Sequence, residues 1–209
     1  MVVELVEHAA AAIGGLGLHR GVELLVAGEV PLLDGGAATL ARARAGLGVA
    51  QSAPRLRVVR AFEMEIGASR YRVEPASEID VRCEIDFSHP AIGRQSAEFR
   101  GDSADFLARV APARTVGFAR DHAARLARGR ARAVDLSAVV VFDDDGLYPG
   151  CDLASAAEPA RHTLLDLIGD LSLFGGPPRG RVSASRPGHA ATHAFVRAAL
   201  AAAALVLTE

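Results

Sequence analysis

Three short stretches carry residue types that could hydrolyse a bond together: Glu7-His8, the run Arg161-His162-Thr163-Leu164-Leu165-Asp166-Leu167-Ile168-Gly169-Asp170, and Gly188-His189-Ala190. On a helix, His162 and Asp166 are four residues apart and share a face, with Asp170 one turn further along it. A histidine and a carboxylate so placed can hold one divalent metal from a rigid support. The same spacing also arises on ordinary solvated faces, so alone it decides nothing. The other sides of this segment favour a site. Leu164, Leu165, Leu167, Ile168 and Leu171 make it apolar there, and a well-buried helix would turn its polar stripe towards a cavity. Glu7-His8 stands among Val, Leu, Ala and Ile. Adjacent Glu and His suit a zinc hydrolase, because ligand and general base must reach one water. A surface-facing pair is the plain alternative. His189 falls in a first helical turn, where terminal amides favour anions, and taken alone it reads equally as an ordinary histidine. His19, His89, His122 and His193 receive no ligand role.

These groups need elements to hold them. Residues 3–13 are strong helix formers stopped by Gly14-Gly15. Residues 21–30 read as a strand ended by Pro31, Leu33-Asp34-Gly35-Gly36 as a turn, and 37–46 as a helix closed by Gly46. Ser52-Ala53-Pro54 reads as a linker. Beyond it, 56–66, 69–75 and 79–87 alternate apolar and polar residues, as half-buried antiparallel strands do. Residues 103–111 read as a helix capped by Ser103, 117–129 as a second helix, and 136–142 as a buried strand. A long amphipathic helix follows over 157–173, then a strand over 180–185 and an Ala-rich helix over 188–206. The fold class is α+β, with a small layer over 1–52 and a larger one over 55–209. A helix, one strand and a helix cannot close a sheet of their own, so the small layer must lean on the larger one or on another chain.

The 209 residues can bury one sizeable core or two small ones. The formal net charge is -2, and no long basic block or aromatic-basic interleaving occurs, which argues against nucleic-acid binding. There is no Lys, Asn or Trp, so Arg in place of Lys carries little meaning. Cys83 and Cys151 are far apart and in no metal-binding spacing, which suits a reduced cytoplasmic compartment. Glu4 and Glu7 stand where an export signal would be positive, and the apolar run 201–207 is too short to span a bilayer. The expected location is cytoplasmic, with at most peripheral membrane contact.

Taken together the stretches resemble a known family, the zinc-dependent UDP-3-O-acyl-N-acetylglucosamine deacetylases of lipid A synthesis. The resemblance runs through Val6-Glu7-His8 with Gly15-Leu16-Gly17, then Glu29-Val30-Pro31-Leu32-Leu33-Asp34-Gly35. It continues through Ile85-Asp86-Phe87-Ser88-His89-Pro90-Ala91-Ile92 and Ala113-Arg114-Thr115-Val116-Gly117-Phe118-Ala119-Arg120-Asp121. Val140-Val141-Phe142-Asp143-Asp144, the 161–171 run and Ser185-Arg186-Pro187-Gly188-His189-Ala190 complete it. The order and approximate spacing hold across nearly the whole chain. The resemblance implies that His8, His162 and Asp166 bind Zn²⁺ and leave a position for water. It implies Glu7 as general base, His189 as the protonated group at the oxyanion or leaving amine, Asp170 as its orienting partner, and Thr115 as a hydroxyl donor to the oxyanion. It further implies two α+β layers facing each other with the site between them, and a UDP-sugar or acylated UDP-sugar as substrate.

The sequence also departs from the family. Members carry further strands ahead of the Glu-His motif, so the N-terminal layer is expected to be incomplete, and a homodimer could cover its apolar face. Thr163 stands where the family has Lys, and Val116 where it has Phe. Arg128-Gly129-Arg130-Ala131-Arg132-Ala133-Val134-Asp135 stands where the family has an apolar acyl tunnel, and unpaired charge suits no such tunnel. Two readings follow: a zinc deacetylase of that family, and a non-catalytic or substrate-altered relative that binds zinc with a sugar nucleotide or a partner protein.

Overall fold

A computed structural model describes residues 6–26, 29–121 and 135–208. In chain order the elements are α1 (Glu7–Gly15), α2 (Ala38–Ala45), β1 (Leu56–Val58), β2 (Phe62–Ile66), β3 (Ser69–Glu74), β4 (Ile79–Asp86) and β5 (Arg94–Phe99). Then come α3 (Ser103–Asp105), running into a π-type turn (Phe106–Val110), β6 (Thr115–Phe118), β7 (Val139–Phe142), α4 (Glu158–Ser172), β8 (Gly180–Ser185), α5 (His189–Ala201) and β9 (Leu205–Leu207). The arrangement is mixed α+β, as expected from the sequence.

One five-stranded sheet has the order β2-β3-β8-β4-β5; β2, β3 and β4 come from the alternating segments, whereas β5 is a strand that the sequence reading did not place. Only β4 and β8 run parallel; the other pairs are antiparallel. Tyr71 and Cys83 both pair with Ala184, and Val73 and Val81 both pair with Val182. These side chains, with Ile85 and Phe99, are buried. Because side chains alternate along a strand, the opposite face carries the charged residues Arg72, Arg82 and Arg181. α4 and α5 cover the apolar face. Leu164, Leu165, Leu167, Ile168 and Leu171 of α4 and Phe195, Val196 and Ala199 of α5 are all buried there. Each large side chain contributes about 1.5–3 kcal/mol, which makes α4 the rigid axis of the molecule.

α1 lies against α4. It can come close because its buried side chains are small, Ala9 to Ala12, and because α4 has a glycine at the crossing. A Cβ on Gly169 would sit 2.1 Å from the Glu7 carbonyl oxygen, a separation that packed atoms do not reach.

Several elements differ from the sequence reading. Residues 22–26 are irregular and not a strand, because a strand needs a hydrogen-bonded neighbour and these have none among the described residues. The expected strand 56–66 is two, β1 and β2, in different sheets. β1 pairs with β9, and β9 takes the end of the expected last helix, which stops at Ala201. The 103–111 helix is capped by Asp102, whose side chain accepts from the Ala104 and Asp105 amides, and not by Ser103. α1 runs through Gly14 and Gly15 instead of stopping before them. Residues 117 and 118 end the strand β6, which pairs in parallel with β7; a helix starts only at Ala119, and 122–129 of that expectation lie outside the described residues. The segment Arg128–Val134 also lies outside them. No helix among the described residues is long and apolar enough to cross a membrane.

Candidate metal centre

The packing of α1 on α4 brings His8 to the face that carries His162 and Asp166. One ligand atom from each of the three lies within 4.8 Å of the others. His8 Nε2 is 3.5 Å from Asp166 Oδ1, and His162 Nε2 is 3.4 Å from Asp166 Oδ2. These distances exceed a good N–H···O bond. They run to the two different oxygens of one carboxylate, so the three side chains gather their ligand atoms around one small space. Asp166 Oδ1 is buried and has no hydrogen-bond partner. A buried acceptor is rarely left unpaired, and here it lies 3.5 Å from His8 Nε2 while Oδ2 of the same carboxylate faces His162. The donor set of two histidines and one carboxylate is a common one for zinc.

The imidazoles are held for that role. His162 Nδ1 lies 3.0 Å from the Ala113 carbonyl oxygen. A carbonyl only accepts, so Nδ1 donates there, and Nε2 is the ring nitrogen turned towards Asp166. The two rings meet edge to face, 5.2 Å apart and 88° between planes. Burial would push the Asp166 carboxyl up, but His162 and His8 beside it outweigh that and hold it below the usual carboxylate range.

The Ala113 carbonyl is itself fixed from α4. Glu158, one turn before His162, is buried and accepts from the Arg114 amide and from Arg114 Nε at 3.2 and 2.9 Å. It also accepts from the Ala154 amide at 2.7 Å. Arg114 Nη2 donates to the Asp152 carbonyl at 2.9 Å. The next residue, Thr115, begins β6, and its amide donates to the Gly35 carbonyl at 2.8 Å. Gly35 has a positive φ of 79°, and a Cβ there would strike the Ala138 carbonyl, so the expected turn at 33–36 is what lets the Thr115 segment dock. Glu158, His162, Asp166 and Asp170 thus form one ladder of four-residue steps along α4.

The fourth rung faces α5. Asp170 is buried, and His189 Nδ1 lies 3.0 and 3.1 Å from its two oxygens. His193 Nε2 lies 3.1 Å from Asp170 Oδ1. The hydrogen bond and charge of Asp170 raise the His189 pKa to about 9, against the opposing pull of burial, with smaller help from Asp166 and Glu7. His189 is therefore cationic at neutral pH. The buried Tyr71 hydroxyl takes the Gly188 amide at 3.2 Å and meets Thr192 Oγ1 at 3.0 Å, which fixes the start of α5.

His8, His162 and Asp166 thus meet where α1 packs on α4, and Asp170 and His189 join α4 to α5; Glu7 acts on His189 through its charge, and Thr115 stands two residues from the carbonyl that holds His162. Thr163, in place of a cation, turns its hydroxyl back to the Pro159 carbonyl at 3.0 Å. Neither of two larger hollows, of about 580 and 670 Å³, is lined by these site residues. Sequence reasoning passed over Glu158, Arg114, His193, Gly169 and the Ala113 carbonyl. The i,i+4 steps from Glu158 to His162 and from His189 to His193 were readable signals, as was a glycine inside an apolar helix. The backbone carbonyl left no trace.

A sequence model of the UDP-3-O-acyl N-acetylglycosamine deacetylases matches residues 1–201. The chain is 38% identical over 198 residues to the UDP-3-O-acyl-N-acetylglucosamine deacetylase of Myxococcus xanthus (strain DK1622), covering 93% of this chain and 63% of the relative. It is 37% identical over 202 residues to that of Anaeromyxobacter dehalogenans (strain 2CP-C), covering 95% and 66%. It is 32% identical over 200 residues to that of Psychrobacter cryohalolentis (strain ATCC BAA-1226 / DSM 17306 / VKM B-2378 / K5), covering 93% and 62%. The chain spans less than two thirds of the length of these relatives.

Proposed function

Because the chain belongs to the UDP-3-O-acyl N-acetylglycosamine deacetylase family, we propose that it removes the N-acetyl group from a UDP-linked N-acetylglucosamine carrying a 3-O-acyl chain. The reading places the reaction in the cytoplasm, in lipid A synthesis. The observation that carries it is the cluster of His8, His162 and Asp166, whose ligand atoms lie within 4.8 Å of one another with Asp166 Oδ1 buried and without a hydrogen bond, a set that suits one zinc ion. When bound there, zinc supplies Lewis-acid polarisation of the acetyl carbonyl and lowers the pKa of water towards neutrality.

The residues around it divide the remaining work. Glu7 adjoins His8 in the first turn of α1 and takes one proton from the attacking water. The water oxygen forms the new C–O bond and the C–N bond breaks. His189 is held protonated by Asp170 and gives its Nε2 proton to the departing amine, so that acetate and a free amine leave. The Thr115 hydroxyl donates to the oxyanion that develops in between, an effect commonly worth about 2.7–4 kcal/mol. Asp170 orients His189 and keeps its charge.

The test is acetate release by the zinc-loaded protein from the 3-O-acylated UDP-sugar and from UDP-N-acetylglucosamine. Release that vanishes on Glu7→Ala is expected, with the acylated sugar preferred. Release from neither sugar would refute the reading.

A further inference from the structure

Two imidazoles from successive turns of α5 converge on one carboxylate of α4. Asp170 Oδ1 lies 3.0 Å from His189 Nδ1 and 3.1 Å from His193 Nε2. Asp170 is buried, whereas the two rings reach solvent, the side chain of His189 being 50% exposed and that of His193 29%. A carboxylate accepts only, so both ring nitrogens donate. His193 is not free to drift away, because Phe174 meets it edge-on with ring centroids 5.7 Å apart.

We infer that His193 is a positioning residue of the proposed active site, which shares Asp170 with His189 and so governs how firmly His189 holds its proton. The reasoning is electrostatic. A donor on Oδ1 draws on the same lone-pair charge that His189 uses, so each hydrogen bond weakens the other. The positive end of the His193 N–H dipole also stands on the same carboxylate as the His189 proton. Both effects loosen that proton. A general acid must give up its proton as well as hold it, and Asp170 alone would hold it too tightly.

Burial of the His189 ring opposes its proton, and His193, on the same carboxylate, adds to that opposition. Asp170 and Asp166 on α4 and Glu7 on α1 all raise the His189 pKa, which stands at about 9. β3 brings the Tyr71 hydroxyl to the start of α5 and the Ser69 hydroxyl to the Arg186 carbonyl just before it, and β2 turns Phe62 to Phe195. His189 and His193 are four residues apart in the chain and on one face of α5, so the division of Asp170 is built into the helix and needs no movement.

The role of His189 as acid rests on the proposed function, but its titration does not. Histidine ring signals of the whole chain, followed by NMR through alkaline pH, read it directly. In His193→Phe, which fills the space without a donor, the His189 proton is expected to be held about three- to tenfold more tightly, an upward shift of about 0.5–1 unit. His193→Gln keeps an N–H donor and is expected to titrate like the parent. His193→Leu repeats the comparison if Phe packs poorly. A merely structural role would lower thermal stability in all three and leave the titration in place. An unchanged or lowered His189 titration in both apolar variants, or a Gln variant that behaves as they do, overturns the inference. If acetate is released, the alkaline limb of kcat should move with the titration. A shifted titration without acetate release would refute the deacetylase reading and leave this inference standing.

Discussion

The carbonyl oxygen of Glu7 passes where a Cβ on Gly169 would stand, 2.1 Å away. This contact sets the height of α1 on α4, and with it the distance from His8 to Asp166. Gly169→Ala should therefore push α1 outward. The neighbour is backbone and cannot swing aside, so a loss of about 1–3 kcal/mol is expected, with zinc affinity down about tenfold or more. Gly188→Ala is the control, since a Cβ there meets nothing within 4 Å. Thermal melts and competition with a zinc chelator measure both, and parent-like affinity in Gly169→Ala would separate the helix crossing from the site.

Metal binding should stabilise the fold. If His8, His162 and Asp166 hold zinc, adding zinc at a hundred times its Kd to the chelated protein contributes about 2.7 kcal/mol, visible as a raised Tm. Asp166→Asn should abolish that rise. An equal rise in the variant would place the ion elsewhere.

The pairing of His189 with Asp170 makes a pH prediction with a definite sign. The folded pKa of His189, about 9, lies above the ordinary 6.5. Its contribution to stability is therefore full below about 6.5 and is lost as pH rises through about 9. Half-exposure of the ring screens the effect, so the slope will be shallow. Asp170→Asn should remove this slope and move the alkaline limb of activity downward. Urea unfolding at several pH values checks the first part, and a slope retained in Asp170→Asn would contradict it.

Arg114 and Glu158 should behave as a unit. Glu158 is buried, accepting from both the Arg114 side chain and its amide. Glu158→Leu or Arg114→Met alone leaves a charge without its partner, a loss of about 3–5 kcal/mol. The double variant should lose less than the sum of the two. Glu158→Leu also removes the acceptor of the Arg114 amide beside the Ala113 carbonyl, so zinc affinity should fall most in that variant. Additive losses in a double-mutant cycle would deny the coupling.

Much of the site was legible in the sequence. The four-residue steps of His162, Asp166 and Asp170 lie on one face of a helix whose other sides are Leu and Ile, and that helix forms where its periodicity places it. Glu7-His8 stood out as a polar pair in an apolar segment. The alternation over 69–75 and 79–87 marked two of the central strands, and 180–185 was also read as a strand, while β5 over 94–99 was not. The misreadings of strands share one cause. Residues 22–26 have strand-like composition but no hydrogen-bonded neighbour, and the last turn of the expected 188–206 helix is drawn into β9 by β1. Whether a segment becomes a strand depends on a partner distant in sequence, and local pattern carries no record of it.

What the sequence determined alone is which residues share a helix face, because 3.6 residues per turn is a local rule. It thus set the ladder on α4 and the His189–His193 pair on α5. Only the tertiary structure decided that these faces meet. The Gly169 crossing brings His8 to Asp166, the Arg114–Glu158 pair aims the Ala113 carbonyl at His162, and the packing of α5 on α4 hands one carboxylate to two histidines. Each is a contact between segments far apart in the chain, fixed by the packing of buried surfaces, and no spacing within a single segment encodes it.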